Sequence, residues 1–169
     1  MSTEQKQVFT GMLAALAVTA VVLGLTYWLS QTGYDRIRLS APAASALVCL
    51  ALAFSIATIA RKRFFDSEII GGAGYDRPGS PVAVDRAVLQ NTVEQSVLAV
   101  AAYQGLASVA PTAAGALLPA LAALFLAGRA LFVARYRKGA GARAFGFALT
   151  FYPTMVALAI VAVLLVARL

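Results

Sequence analysis

The segment "AFGFALTFYPTMVALAIVAVLLVA" (144–167) is 24 residues long and contains no charged residue. A helix of about 20 predominantly apolar residues is long enough to cross the hydrocarbon core of a bilayer. Segments 8–29 and 39–60 are equally free of charge and long enough for the same purpose. With 61% hydrophobic and 12% charged residues in a chain of 169, little polar surface remains to cover a water-soluble domain. The sequence therefore predicts an all-α integral membrane protein.

A fourth charge-free segment, 95–128, is too long for a single span. Two glycines and two prolines lie between positions 105 and 119, and these residue types commonly mark helix ends. We therefore divide the segment into two helices, with a short turn near 108–114. The sequence then predicts five helices, at about 8–30, 39–61, 84–107, 115–136 and 143–167.

The first predicted helix has an alternative interpretation as a cleaved signal peptide. Its apolar stretch is longer than the about 7–15 residues of a signal-peptide core, and "TYWLSQTGYD" (26–35) offers no small-x-small cleavage site. These two features favour a retained membrane span.

The net charge of +7 is distributed unequally between the two sides of the predicted membrane protein. With five spans, ten Lys and Arg residues lie on the side of the N-terminus and three on the opposite side. By the positive-inside rule, this bias puts the N-terminus in the cytoplasm and the C-terminus across an inner or plasma membrane. We interpret the basic charge as a topology signal and predict no nucleic-acid partner.

The chain has one cysteine, Cys49, and no histidine. An intramolecular disulfide is therefore impossible. Ser-His-Asp catalysis, Cys-His pairs and His-ligated metal sites are excluded as well, and no metal site is predicted.

Asn91, Glu94 and Arg129 are polar residues inside predicted membrane spans. An ionisable side chain there costs about 2.5–3.5 kcal/mol on insertion scales and so indicates a candidate functional site. Asn91 and Glu94 share a helix face at i and i+3, and the topology puts both in the cytoplasmic third with Arg129, Tyr136 and Arg143. The five residues predict a polar cavity open to the cytoplasm. The simpler alternative is a buried Glu94–Arg129 ion pair that fixes helix packing.

Three segments in order carry a family resemblance. "NTVEQ" (91–95) has an Asn-x-x-Glu spacing, "GRALFVARYRKGAGARAFGF" (128–147) has an Arg-Tyr-Arg series, and "ARKRFFDSEIIGGAGYDRP" (60–78) is a basic loop. Together they resemble the MAPEG family, the membrane-associated proteins in eicosanoid and glutathione metabolism. The resemblance covers 39–169 as a four-helix bundle and leaves 1–38 as an additional N-terminal transmembrane helix with a short loop.

The resemblance implies a homotrimer that binds glutathione between adjacent subunits near the cytoplasmic face. Asn91 and Glu94 would hold the polar groups of glutathione, Glu94 its amine, and Arg129 would contact it or shape its pocket. Tyr136 and Arg143 are the candidate catalytic residues, Arg143 stabilising the thiolate. Two further basic residues, Arg61 (or Arg63 in its place) and Arg86, complete the candidate binding residues.

The activity that the resemblance implies is that of a membrane-bound, glutathione-dependent transferase or peroxidase acting on lipophilic electrophiles or lipid hydroperoxides. Several family members carry arginines where this chain has Ala87 and Gln90, and some carry an aromatic hydroxyl where it has Phe147. These departures favour an alternative: a catalytically inactive relative that binds a lipid or anionic ligand, or acts as a membrane scaffold. A third interpretation is a small proton-coupled transporter that uses Glu94.

Overall fold

The computed structural model describes residues 1–33, 37–72 and 80–168. Arg36 and Arg77 of the charge count, and part of the basic loop, lie outside these residues. Within the described residues the chain is all-helical and contains α1 (Thr3–Gln31), α2 (Ala41–Phe64), α3 (Ala83–Val109), α4 (Pro111–Arg135), a 3-10 helix (Tyr136–Lys138) and α5 (Ala140–Val166).

Four of these helices, α1, α2, α4 and α5, are long and apolar enough to cross a membrane. This finding confirms the prediction of an all-α protein suited to several membrane crossings. The polar residues of α3 keep it below the same hydropathy limit, so a fifth span stays a prediction.

The observed helix ends differ from the predicted ones because local caps extend the helices. Helix α1 begins at Thr3 instead of near Val8, since Ser2 and Gln5 form a capping box with bonds of 3.2 and 2.7 Å. The turn predicted near 108–114 is wrong, because the observed turn is much shorter. Ala110 alone separates α3 from α4, and Pro111 occupies the first turn of α4, where its missing N–H costs nothing.

The helix that the sequence predicted as an addition, α1, packs mainly on α5 and also on α4. Its contact face carries small residues every four positions, at Gly11, Ala15 and Thr19, and the last two are buried. A Cβ added at Gly11 would lie 3.2 Å from the backbone nitrogen of Phe145. Small residues at this spacing let helices approach closely, so α1 is part of the packed bundle.

Helices α4 and α5 approach each other closely at Gly128 and Gly146. A Cβ added at Gly146 would lie 2.5 Å from the nitrogen of Phe132 and 2.9 Å from the carbonyl oxygen of Gly128. Real side chains do not tolerate such distances, so glycine is required at this contact. The close approach brings Arg129 of α4 next to Thr150 of α5.

One end of the bundle carries the first turns of α1, α3 and α5 and the last turns of α2 and α4. We call it the basic end, because three basic residues end α2 (Arg61, Lys62, Arg63) and three more lie at 135–138. Lys62 pairs there with Asp85, which ties the end of α2 to the start of α3. At the opposite end, Arg38 donates a 2.7 Å hydrogen bond to the carbonyl oxygen of Thr112.

Candidate functional site

A cavity of about 350 Å³ lies at the basic end, and we call it the polar cavity. It contains three side chains that the sequence singled out, Asn91, Tyr136 and Arg143. Its lining consists of Val8, Met12, Asn91, Phe132, Tyr136, Ala140, Arg143, Ala144 and Phe147. The site is therefore built from α1, α3, α4, the 3-10 helix and α5 together.

The guanidinium of Arg143 covers the ring of Tyr136, with 4.3 Å between its Cζ and the ring centroid. Contacts of this kind are favourable because a cation is attracted to the negative face of an aromatic ring. Phe132 meets the same tyrosine edge-on, at 5.2 Å between ring centroids. The chain can bring Tyr136 and Arg143 together because Gly139 turns it with a φ of 101°.

Arg129 lies behind the polar cavity and is only 3% exposed. Its Nη1 donates to Asn91 Oδ1 at 2.8 Å, and its Nη2 donates to Thr150 Oγ1 at 2.7 Å. Its Cζ also lies 4.5 Å from the ring centroid of Phe132. Its Nε finds no acceptor among the described residues. The buried charge is thus held by neutral groups that also fix the orientation of Asn91.

Glu94 lies apart from this network. Its side chain is exposed and accepts a 2.9 Å hydrogen bond from Gln90 Nε2. The buried Glu94–Arg129 ion pair considered from the sequence is not formed, since Arg129 uses Asn91 and Thr150 instead. At about 100° per residue, positions i and i+3 differ by about 60° around the helix axis. That difference suffices to turn Glu94 outward while Asn91 faces the cavity.

Two predicted basic contacts also lie outside the polar cavity. Arg61 is exposed near the end of α2, and Arg86 is half-buried in the first turn of α3. The structure thus brings together Asn91, Arg129, Tyr136 and Arg143, and leaves Glu94, Arg61 and Arg86 separate from them.

Three residues at the site, Thr150, Val8 and Met12, are not among the predicted site residues. Thr150 carried no recognisable signal, because a lone threonine in an apolar helix is common. Val8 and Met12 are apolar residues of a long apolar segment, and only the packing of α1 on α5 puts them at the cavity.

The outer face of α3 carries a regular pattern of exposed residues, which we call the α3 stripe. Spacings of four and three residues alternate along it. The stripe consists of Ala83, Ala87, Gln90, Glu94, Val97, Ala101, Gln104 and Ser108. This heptad spacing is typical of a helix that packs lengthwise against another helix. Within the stripe Gln90 donates to Glu94, and Gln104 donates a 3.1 Å hydrogen bond to Ser45 Oγ of α2.

Comparison of the chain with protein-family models, with curated proteins and with solved structures gives no significant match. The assignment of the site therefore depends on the geometry of the chain itself.

Proposed function

We propose that the chain is a membrane-embedded, glutathione-dependent transferase or peroxidase of MAPEG type that acts on lipophilic electrophiles or lipid hydroperoxides. The observation that carries the proposal is the convergence of Asn91, Tyr136 and Arg143, from three separate elements, on one cavity. The cavity volume of about 350 Å³ falls within the range of about 300–1,000 Å³ for small-molecule sites.

The chemistry of the lining groups fits glutathione, which carries two carboxylates, one ammonium and one thiol. Asn91 and Tyr136 offer polar contacts for the peptide, and Arg143 supplies a positive charge. Glutathione contributes the nucleophile when bound, and a thiol reacts as its thiolate. Arg143 favours an anion beside it, so its guanidinium is the group that would hold the sulfur in this form.

The rest of the lining suits a lipophilic second substrate. Val8, Met12, Phe132 and Phe147 form apolar walls beside the polar groups. A substrate dissolved in the bilayer would meet these walls without crossing water, because the helices that carry Val8, Phe132 and Phe147 have membrane-spanning character. This division into polar and apolar walls supports a reaction between a polar thiol and an apolar acceptor.

A homotrimer is part of the proposal, and the α3 stripe supports it. If the α3 helices of identical copies packed around a symmetry axis, the whole α3 stripe would be covered, including Gln90, Glu94 and Gln104. To test this, Ala101→Cys is introduced together with Cys49→Ser, and the protein is oxidised. We expect crosslinking between copies, and none for the exposed α4 variant Ala123→Cys. Equal crosslinking of both variants, or a monomer by native mass spectrometry, would contradict the assembly.

We also propose that the basic end faces the cytoplasm of an inner or plasma membrane, as the charge bias of ten against three supports. Labelling of intact cells with a membrane-impermeant maleimide tests this orientation, in a Cys49→Ser background. A cysteine at Thr32 should react from outside and a cysteine at Lys138 only after lysis. The reverse pattern would contradict the proposed orientation.

The activity is tested with the full chain purified in detergent. We expect saturable glutathione binding at millimolar concentration, a rise in thiolate absorbance and conjugation of a chlorodinitrobenzene-type electrophile. Absence of saturable binding would remove the proposal.

A second candidate function is a MAPEG-like protein that binds an anionic or lipid ligand without thiol chemistry. One observation favours it: Glu94, expected to hold the amine of glutathione, lies outside the polar cavity. Glutathione binding without thiolate absorbance or turnover would support this candidate over the enzyme.

A further inference from the structure

Helix α1 forms one wall of the polar cavity through Val8 and Met12. Its first turns dock tightly on the start of α5. A Cβ added at Gly141 would lie only 2.6 Å from Gln7 Oε1 and 2.7 Å from its Cβ. The start of α1 is therefore fixed against the start of α5, one turn before Val8 at the cavity wall.

The first turn of α5 takes its side-chain cap from another helix. Gly139 precedes α5 and has no side chain with which to cap it. The Glu4 side chain fills this role from α1, since its Oε1 accepts a 3.2 Å hydrogen bond from the backbone nitrogen of Ala140. Ala140 itself lines the polar cavity, so the Glu4 carboxylate contacts a residue of the cavity lining, although Glu4 is not part of that lining.

The bond to Ala140 occupies one oxygen of the Glu4 carboxylate and leaves Oε2 available, because the side chain is otherwise exposed. Glu94, in contrast, lies on the α3 stripe, bonded to Gln90 and outside the cavity. Of these two carboxylates, only Glu4 is hydrogen-bonded to a residue that lines the cavity with Asn91, Tyr136 and Arg143.

We propose that Glu4 binds the ammonium group of the peptide ligand, the role that the family resemblance gives to Glu94. This inference rests on the proposed function, because it requires glutathione in the polar cavity. Glu4 is then a specificity-determining residue that selects a zwitterionic peptide over one with a blocked amine. Helix α1 supplies this carboxylate from the same chain that forms the polar cavity.

The test compares two probes, glutathione and N-acetylglutathione, which lacks the ammonium. Their affinities are measured by isothermal titration for the full-length wild type and for Glu4→Gln. Glutamine keeps an acceptor for the N–H of Ala140, so the docking of α1 is preserved. A charge-assisted bond is worth about 1.5–3 kcal/mol and tenfold in affinity is about 1.4 kcal/mol. We therefore expect the affinity of the variant for glutathione to fall about tenfold and its affinity for N-acetylglutathione to change little. The control Glu68→Gln, at an exposed carboxylate between α2 and α3, should keep the wild-type preference.

Each outcome separates the two proposals. A wild type that binds neither probe removes the proposed function, and this inference falls with it. A wild type that binds both probes equally overturns the inference alone. So does a Glu4→Gln variant that weakens both probes alike, since that result indicates only a structural cap. Loss of the preference in Glu94→Gln but not in Glu4→Gln would assign the ammonium to Glu94, contributed by a neighbouring copy.

Discussion

Two cavities of similar size lie along α1, one toward each end of the bundle. The polar cavity measures about 350 Å³ and the second, which we call the apolar cavity, about 440 Å³. Both are lined by residues of α1, α3, α4 and α5. The apolar cavity is lined by leucine, alanine, valine and isoleucine, with Tyr27 as the polar side chain among its described residues. Volume therefore does not distinguish a candidate site in this protein, but the chemistry of its walls does.

The polar cavity also lies beside a close backbone contact and a buried hydrogen-bond network. Beside it, the glycine contact between α4 and α5 brings Arg129 to Thr150 and Asn91. The described lining of the apolar cavity consists of apolar side chains and Tyr27. The four predictions that follow test this difference, beginning with the backbone contact.

The largest effect is expected from Gly146→Ala. The new Cβ would lie 2.5 Å from the nitrogen of Phe132, and a backbone atom cannot move aside as a flexible side chain does. We expect a loss of about 3 kcal/mol or more in stability, followed as thermal unfolding by circular dichroism. The control is Gly24→Ala, where an added Cβ meets nothing within 4 Å. Equal melting temperatures for the two variants would show that the α4–α5 contact is adaptable.

The next largest effect is expected from Arg143→Ala on turnover. Loss of one preorganised group that stabilises an anion typically costs about 100-fold or more in rate, and 100-fold is about 2.7 kcal/mol of barrier. Because Arg143 acts on the sulfur in our proposal, kcat should fall about 100-fold while the Kd for glutathione changes far less. Arg135→Ala, at an exposed arginine just before the 3-10 helix, is the matched control. Unchanged turnover in Arg143→Ala would show that its assigned role is wrong.

Asn91→Ala should destabilise the protein by about 2 kcal/mol, because Nη1 of the buried Arg129 would lose its acceptor. The measurement is the melting temperature in detergent, together with glutathione affinity. Gln90→Ala removes an amide from the exposed face of the same helix and should cost less. An equal cost at both positions would argue against an organised Asn91–Arg129 pair.

The smallest effect is expected when each cavity is filled separately. Ala140→Leu places apolar volume in the polar cavity and should weaken glutathione binding about tenfold, or about 1.4 kcal/mol. Ala113→Leu does the same in the apolar cavity and should leave that affinity unchanged. Weakening by Ala113→Leu alone would move the candidate site to the other end of the bundle.

Much of the helical fold follows from the sequence, because charge-free segments of membrane length have few other stable arrangements. The helix ends are harder to predict, because a prediction from hydropathy ends each helix where polar residues begin. In α1 the polar residues 3–7 continue the helix under the Ser2–Gln5 capping box. The one-residue link at Ala110 was also beyond reach, since two glycines and two prolines nearby gave several possible breaks.

The candidate site, too, can be predicted from the sequence only in part. Alternating helix directions bring helix ends together, so Asn91, Tyr136 and Arg143 could be expected near one another. Spacing alone could not decide that Glu94 faces outward, since a rotation of about 60° separates an inner from an outer position. The position of Glu4 depends on how α1 docks on α5. The small residues Gly11, Ala15 and Thr19 mark the contact face of α1, but they do not identify α5 as the helix that it meets.

The single residue between α3 and α4 has a consequence for biogenesis. With only Ala110 as a joint, the two helices form a hairpin with no slack to enter a bilayer one after the other. Helix α3 is the less apolar of the pair, and α4 reaches membrane-spanning hydropathy on its own. Any insertion of α3 must therefore proceed together with α4, whose apolar surface offsets the cost of the polar residues on its partner.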